Sequence, residues 1–156
     1  MTPGINAAIK AGIFHKIHEY EHDPASAGYG NEAAEKMAVD PARVFKTLVV
    51  SVDGKALAVG IVPVTGMLSM KLIARAAGGK KATMADPQEV QRRTGYVMGG
   101  VSPLGQKSRL KTLIDASAAA FETIYVSAGR RGLEIELSPA DLVQLTNGQL
   151  APIQQQ

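Results

Sequence analysis

Two features of the chain have residue types suited to chemistry. The first is the run Gly99-Gly100-Val101-Ser102-Pro103-Leu104-Gly105. Its glycines, serine and proline suit an exposed backbone turn better than the interior of a helix or strand. Such a turn can aim several N–H groups at one point and hold a carboxylate, a phosphate or a developing oxyanion. The second is Lys46, in Phe45-Lys46-Thr47-Leu48-Val49-Val50, where an ammonium interrupts an apolar strand. Alternation puts it on one strand face with Leu48, Val50 and Val52. If that face is inward, desolvation lowers its pKa. A lysine at a strand end whose head reaches water is the commoner arrangement. An N–H-rich loop with a lysine suits a substrate carrying an anionic or ester group.

Other chemistries fit less well. Gly100 and Gly105 followed by Gln106-Lys107-Ser108 come within one residue of a phosphate-binding P-loop. Gln106 breaks its Gly-Lys-Ser core, and a strand follows where a helix is required. His15, His18 and His22 divide between the two faces of a strand, so no metal site is expected. Ser102 has no identifiable base. Glu134 and Glu136 share a strand face. One of them can pair with Lys46 or receive a substrate amine, and a solvated edge face is the plainer reading.

The elements that must position these residues follow from capping and patterning. Thr2-Pro3 opens a helix that Gly12 closes, and Phe14–Glu21 reads as a strand. Asn31 caps a helix over Glu32–Ala38, and Asp40-Pro41 starts a further turn. Phe45–Val52 and Ala56–Val62 are strands joined by an Asp53-Gly54 hairpin. Ser69 caps a helix through Ala77, Lys81–Met84 is a short strand, and Asp86-Pro87 caps a helix to Arg93. Strands follow at Leu110–Ile114, Thr123–Ser127 and Leu133–Leu137, the last two joined through Gly129-Arg130-Arg131-Gly132. Ser138-Pro139 opens a last helix to Leu145, and Gln154–Gln156 form a frayed tail. Hairpins among short helices predict one α+β domain over residues 1–156 with a largely antiparallel or mixed sheet.

Composition agrees. The chain has 156 residues, 46% hydrophobic and 20% charged, which suits one soluble core. Aromatic residues are 4% with no Trp, so Ala, Val, Ile and Leu carry the packing. No membrane-length apolar run or secretory pattern is present, and the lack of Cys fits a cytoplasmic protein without thiolate chemistry. The net charge is +3, with basic clusters at Lys80-Lys81, Arg92-Arg93, Lys107 to Lys111 and Arg130-Arg131. All four read as flanking one loop region, which favours a phosphate backbone as partner.

A specific resemblance rests on motifs in a fixed order: Tyr20-Glu21-His22-Asp23, Phe45-Lys46-Thr47-Leu48, Met84-Ala85-Asp86-Pro87, Thr94-Gly95-Tyr96, the Gly99–Gly105 loop, and Arg131-Gly132-Leu133-Glu134-Ile135-Glu136-Leu137. The chain resembles the YbaK/EbsC family over nearly its whole length. The resemblance implies the editing-domain fold of bacterial prolyl-tRNA synthetase insertion domains, a mixed, barrel-like sheet with surrounding helices. It implies a trans-acting deacylase that clears mischarged Cys-tRNA(Pro) beside prolyl-tRNA synthetase, with no metal or cofactor. In the family mechanism the substrate's own thiol attacks its ester and leaves as a thiolactone.

By matching position, Lys46 contacts the ester or terminal phosphate. Backbone N–H groups around Gly99, Gly100, Val101 and Ser102 stabilise the carbonyl oxygen, and Pro103, Leu104 and Gly105 continue the loop against the substrate. Tyr20 and Thr47 shape the pocket or hold the terminal adenosine. Tyr29 stands where the family often has Phe, and Glu134, directed to the substrate amine, where close relatives have Asp. The Asp53-Gly54 hairpin is shorter than in relatives. A sister specificity such as Ala-tRNA(Pro), or a binding module without activity, remains the alternative.

Overall fold

Side-chain caps fix most helix starts. In the computed structural model, which describes residues 1–25 and 29–156 (the side chains at 29 and 30 excepted), Thr2 accepts the Ile5 N–H at 3.2 Å and opens α1 (Pro3–Ala11). Ser69 accepts the Leu72 N–H ahead of α3 (Met70–Ala76), Asp86 the Gln88 N–H ahead of α4 (Pro87–Thr94), and Ser138 the Asp141 N–H ahead of α5 (Pro139–Thr146). The exception is α2 (Tyr29–Met37), which starts before Asn31, so Asn31 lies within the helix and is not its cap. Ala33 and Ala34 of α2 are buried beneath it.

The strands form two sheets. A three-stranded antiparallel sheet runs β1 (His15–Glu19), β7 (Leu133–Leu137), β6 (Ile124–Arg130). A five-stranded mixed sheet runs β4 (Ala82–Met84), β2 (Phe45–Val52), β3 (Ala56–Pro63), β5 (Lys111–Asp115), β8 (Gln149–Ala151). The expected hairpin is present: β2 pairs with β3 in register from Phe45 opposite Pro63 to Val52 opposite Ala56. Only β3–β5 and β5–β8 are parallel among the strand pairs, so the sheets are mostly antiparallel.

The sheets do not close into a barrel. They meet at one backbone bridge, Val44 to Tyr125, running in parallel, and then part. Phe45, Val49, Val59 and Ile61 face Ile124, Val126 and Ile135 across a shared core. On the other side of the bridge, Val44 and Tyr125 pack with Ala33 and Ala34 of α2.

The C-terminal residues are a strap and not a frayed tail. Asp115, buried at the end of β5, caps the following 3-10 helix through the Ser117 N–H. The same carboxylate accepts the Ile153 N–H at 3.0 Å, the Gln154 N–H at 3.2 Å and the Gln154 side-chain amide at 2.9 Å. Gln155 also donates its N–H to the Met67 carbonyl at 2.8 Å. Strand β8 has no sequence signal of its own, because a three-residue strand gains its order from a parallel partner distant in sequence.

Burial alone would raise the Asp115 pKa. The hydrogen bonds from Ser117, Gln154 and Ile153 outweigh it and hold the carboxyl below its ordinary value. Asp115→Ala strands several buried donors, and we expect a loss of about 3 kcal/mol in urea unfolding. An unchanged urea midpoint would show that the strap contributes nothing.

Candidate active site

The bridge between the sheets organises the candidate site. Lys46 lies two residues past Val44 on β2, and Ser127 two residues past Tyr125 on β6, so alternation sets both on the same face. Ser127 pairs with Glu134 of β7, and Glu134 pairs with His18 of β1. Tyr20 follows β1 and donates its N–H to the Gly132 carbonyl at 2.9 Å. Lys46, Ser127, Glu134 and Tyr20 thus belong to one polar face at the parting of the sheets.

The electrostatics of this face are those of desolvated polar groups. Lys46 is half-buried, and burial pushes its pKa down. It forms no ion pair with Glu134 or Glu136, so the pairing open to one of them is not made. The Tyr20 hydroxyl is pushed up to about 12, by burial first and the Glu134 charge second. That hydroxyl is buried and makes no hydrogen bond; the Gly132 amide counters the shift slightly without the alignment of one. The Thr47 hydroxyl is also buried without a partner. Buried polar atoms without partners are uncommon in folded proteins; Tyr20 shares the face of Lys46, and alternation puts Thr47 on the opposite face of β2.

Glu134 does not lie on a solvated edge. Its strand is central in the smaller sheet, and its side chain is fully buried at 0% exposure. Glu136, on the same strand face, is bonded to Thr123 at 2.5 Å and His18 at 2.9 Å, with Arg43 at 3.5 Å. It braces the sheet and is not presented to a ligand.

The glycine loop docks against the bulged end of β6. A Cβ on Gly100 would lie 2.9 Å from the Arg130 Cα, so only glycine allows this approach. Gly105, at φ 68°, takes a left-handed conformation, and a Cβ there would collide with the Pro3 carbonyl at the start of α1. The Thr2 hydroxyl completes the junction by donating to the Ala128 carbonyl.

The loop is less exposed than expected. Gly100 through Leu104 are buried, and Val101 and Leu104 join the main core. Ser102 is 0% exposed, and its hydroxyl accepts the Leu104 N–H at 3.1 Å. The Leu104 carbonyl accepts the Tyr96 hydroxyl at 2.6 Å, and the Gly100 N–H bonds the Val97 carbonyl at 3.0 Å. Pro103, Leu104 and Gly105, expected to touch substrate, are therefore taken up in seating the loop. The N–H groups of Gly99, Val101 and Ser102 make no hydrogen bond to a described acceptor. For the buried Val101 and Ser102, that leaves two donors of the kind an oxyanion would satisfy.

Among the described residues, no serine or threonine is presented with a histidine base. His15 bonds the Ile13 carbonyl at 2.9 Å, His18 bonds Glu136, and His22 bonds Glu32 at 2.6 Å. No group of three His, Asp or Glu is placed to hold a metal ion among them either. No described helix is long and apolar enough to cross a membrane. The side chain of Tyr29 lies outside the described residues.

Sequence reasoning missed Ser127 and the Glu32–His22 pair. Ser127 had a signal: with Tyr125 it puts polar groups at alternate positions of an apolar strand. The Glu32 carboxylate is buried, and it accepts from His22 and from the Asp23 N–H at 2.7 Å. It ties the segment after Tyr20 to α2, a contact that no local pattern announces.

The basic clusters also separate. Lys80 and Lys81 give their N–H groups to Asp53 beyond the Val52 end of β2. That is six or seven residues from Lys46, about 20 Å along the strand. Arg130 lies directly against Gly100. Arg93 donates to the Ser108 hydroxyl at 3.3 Å, which brings two of the other clusters together.

Similarities to known proteins follow the same residues. Positions 24–145 match the aminoacyl-tRNA editing domain family. A protein of Enterococcus faecalis with the provisional name Cys-tRNA(Pro)/Cys-tRNA(Cys) deacylase EbsC is 38% identical over 145 residues, covering 89% of this chain and 87% of its own. YwhH of Bacillus subtilis, uncharacterized, is 29% identical, covering 83% of this chain and 80% of its own. A crystal structure provisionally described as a trans-editing enzyme for prolyl tRNA synthetase superposes with a TM-score of 0.84 at 25% identity, covering 100% of this chain and 99% of that one.

Burial raises the Glu32 pKa, but the bonds from Asp23 and His22 and the charge of Arg131 outweigh it, and the carboxyl sits below its ordinary 4.5. A folded pKa below the unfolded one gives stability that is complete above pH 4.5 and lost as pH falls through the lower folded value. Between about pH 5 and pH 3 the urea midpoint of Glu32→Gln should therefore fall less than that of the wild type. Parallel curves would remove Glu32 from the acid response.

Proposed function

The chain belongs to the aminoacyl-tRNA editing domain family, and we propose that this member is a trans-acting deacylase that removes cysteine from mischarged tRNA(Pro). The observation that carries the reading is a pair of unpartnered N–H groups, Val101 and Ser102, in a site that presents no serine or threonine with a base. Such a site can stabilise an oxyanion without supplying the nucleophile. A cysteinyl ester brings its own. Its sulfur bonds to the ester carbonyl carbon, the carbonyl oxygen gains negative charge at the N–H pair, and the bond to the ribose oxygen breaks. The thiol proton ends on the ribose hydroxyl, and cysteine leaves as a thiolactone. The protein contributes position, exclusion of water and charge stabilisation.

In this reading Lys46 contacts the ester or the terminal phosphate, and Tyr20 shapes the pocket with its unpartnered hydroxyl. Glu134 is directed at the substrate amine, and its buried charge suits an ammonium partner. Editing in trans answers a physical limit: a synthetase pocket cannot strongly reject an amino acid close in size to its own. The name of the Enterococcus relative also includes Cys-tRNA(Cys), so selection among tRNAs need not reside in this chain.

The test is deacylation of Cys-tRNA(Pro), Ala-tRNA(Pro) and Ser-tRNA(Pro) side by side. We expect rapid loss of the cysteinyl ester alone, and a drop in kcat/KM of about a hundredfold or more for Lys46→Ala. Lys46 makes no ion pair to lose, so the urea midpoint of that variant should hold or rise. Equal loss of the alanyl ester would mean that water is the nucleophile. A folded, fully active Lys46→Ala variant would remove Lys46 from the site.

A further inference from the structure

A cleft of about 310 Å³ opens beside the second half of the glycine loop. The segment from Gly105 through Leu110 lines it, with Thr112 of β5 and Thr146 of α5. Lys46, Tyr20, Ser127 and Glu134 have no part in it, so it is separate from the candidate active site. Its lining includes two cations, Lys107 and Arg109, and no carboxylate. Both are exposed, and neither side chain forms an ion pair or hydrogen bond with a described residue.

The backbone of this segment is fixed in advance of any ligand. Lys107 donates its N–H to the Thr94 carbonyl at 3.1 Å, and Ser108 donates its N–H to the Arg93 carbonyl at 2.9 Å, which ties the segment to the end of α4. The Lys107 stem runs over Gly95, where an added Cβ would lie 3.3 Å from the Lys107 Cγ. The Ser108 hydroxyl accepts the Arg93 Nε–H at 3.3 Å and keeps its own proton to donate. Thr112 and Thr146 have already given theirs to the Leu110 and Leu142 carbonyls. The N–H groups of Gly105, Gln106 and Arg109 make no hydrogen bond to a described acceptor. The end of α4 favours a cation at Lys107. Arg109 has no such counterpart. The lining thus carries two cations, a hydroxyl proton and three N–H groups, and holds no anion to receive them.

We propose that this cleft binds a phosphate group. An arginine fork and a lysine point charge both suit phosphate oxygens, and hydroxyl and N–H donors complete such sites. A volume of about 310 Å³ is at the small end for ligand sites and suits one phosphate with its attached sugar. That phosphate is a diester of an RNA backbone or a monoester of a small molecule, and the two present the same oxygens. Gln106-Lys107-Ser108, which lacks P-loop spacing, reaches the same ligand class through side chains and a turn, without a helix N-terminus. The inference goes beyond the editing reading and does not rest on it, because the cleft shares no residue with the Val101 and Ser102 N–H pair or with Lys46.

The test titrates inorganic phosphate into the wild type and the double variant Lys107→Gln/Arg109→Gln, followed by amide NMR, with chloride at matched ionic strength as the control. We expect saturable shifts confined to the segment from Gly105 to Thr112 and the end of α5, and their loss in the double variant. Both substituted side chains are exposed and make no internal bond, so the urea midpoint should not move. Diffuse shifts equal to those with chloride, or shifts that persist in the double variant, would overturn the proposal. Adenosine monophosphate and a short RNA duplex then separate the two sources. If the source is RNA, the double variant weakens duplex binding about tenfold and lowers its log–log salt slope by about 1 for each cation removed. If the source is a small monoester, adenosine monophosphate binds more tightly than inorganic phosphate and the duplex keeps its slope. Phosphate binding with neither effect would mean an adventitious ion only and would also overturn the proposal. Deacylation of Cys-tRNA(Pro) is measured separately: its absence removes the editing reading and leaves the phosphate site standing.

Discussion

One backbone bridge sets the geometry of this protein. Val44 and Tyr125 join a five-stranded and a three-stranded sheet at a single point, after which β2 and β6 diverge. A continuous ladder would have satisfied the backbone groups along both strands and left no opening. Past the bridge, Lys46 of β2 and Ser127 of β6 lie on one face, and the glycine loop seats against the far end of β6. The candidate site lies where the two sheets cease to pair.

Much of the fold was legible because capping and hairpin chemistry are local. Thr2-Pro3, Ser69, Asp86-Pro87, Ser138-Pro139 and Asp53-Gly54 act within a few residues, and the structure follows them. Elements whose order comes from distant partners were not legible. Strand β8 and the strap depend on β5 and the Asp115 carboxylate. The start of α2 depends on a buried face that packs beneath Val44 and Tyr125. The barrel implied by resemblance gave way to two sheets touching at one bridge, which no periodicity records.

The site was legible in part, for a related reason. Lys46 and the glycine loop stand out because their residue types conflict with an apolar strand and with regular structure. The burial of the loop could not be read: glycines signal close approach, but not whether the approaching group is a ligand or the protein itself. Here both occur. Gly100 and Gly105 admit Arg130 and Pro3, while the unpartnered N–H groups lie between them at Val101 and Ser102. Glu134 looked like an edge charge because alternation gives a face without saying which strand is central.

The parallel pairs have a consequence for how the chain reaches this state. Ala58 meets Lys111, 53 positions later, and Leu113 meets Gln149, 36 positions later. Loop closure over such spans is paid before any contact rewards it, so folding belongs to the slow, high-contact-order regime of milliseconds to seconds. The β2–β3 hairpin needs only neighbouring residues to form, and without β5 one edge of β3 is unpaired. Gly60 and Pro63 in that strand lower its tendency to pair with another molecule while that edge is open.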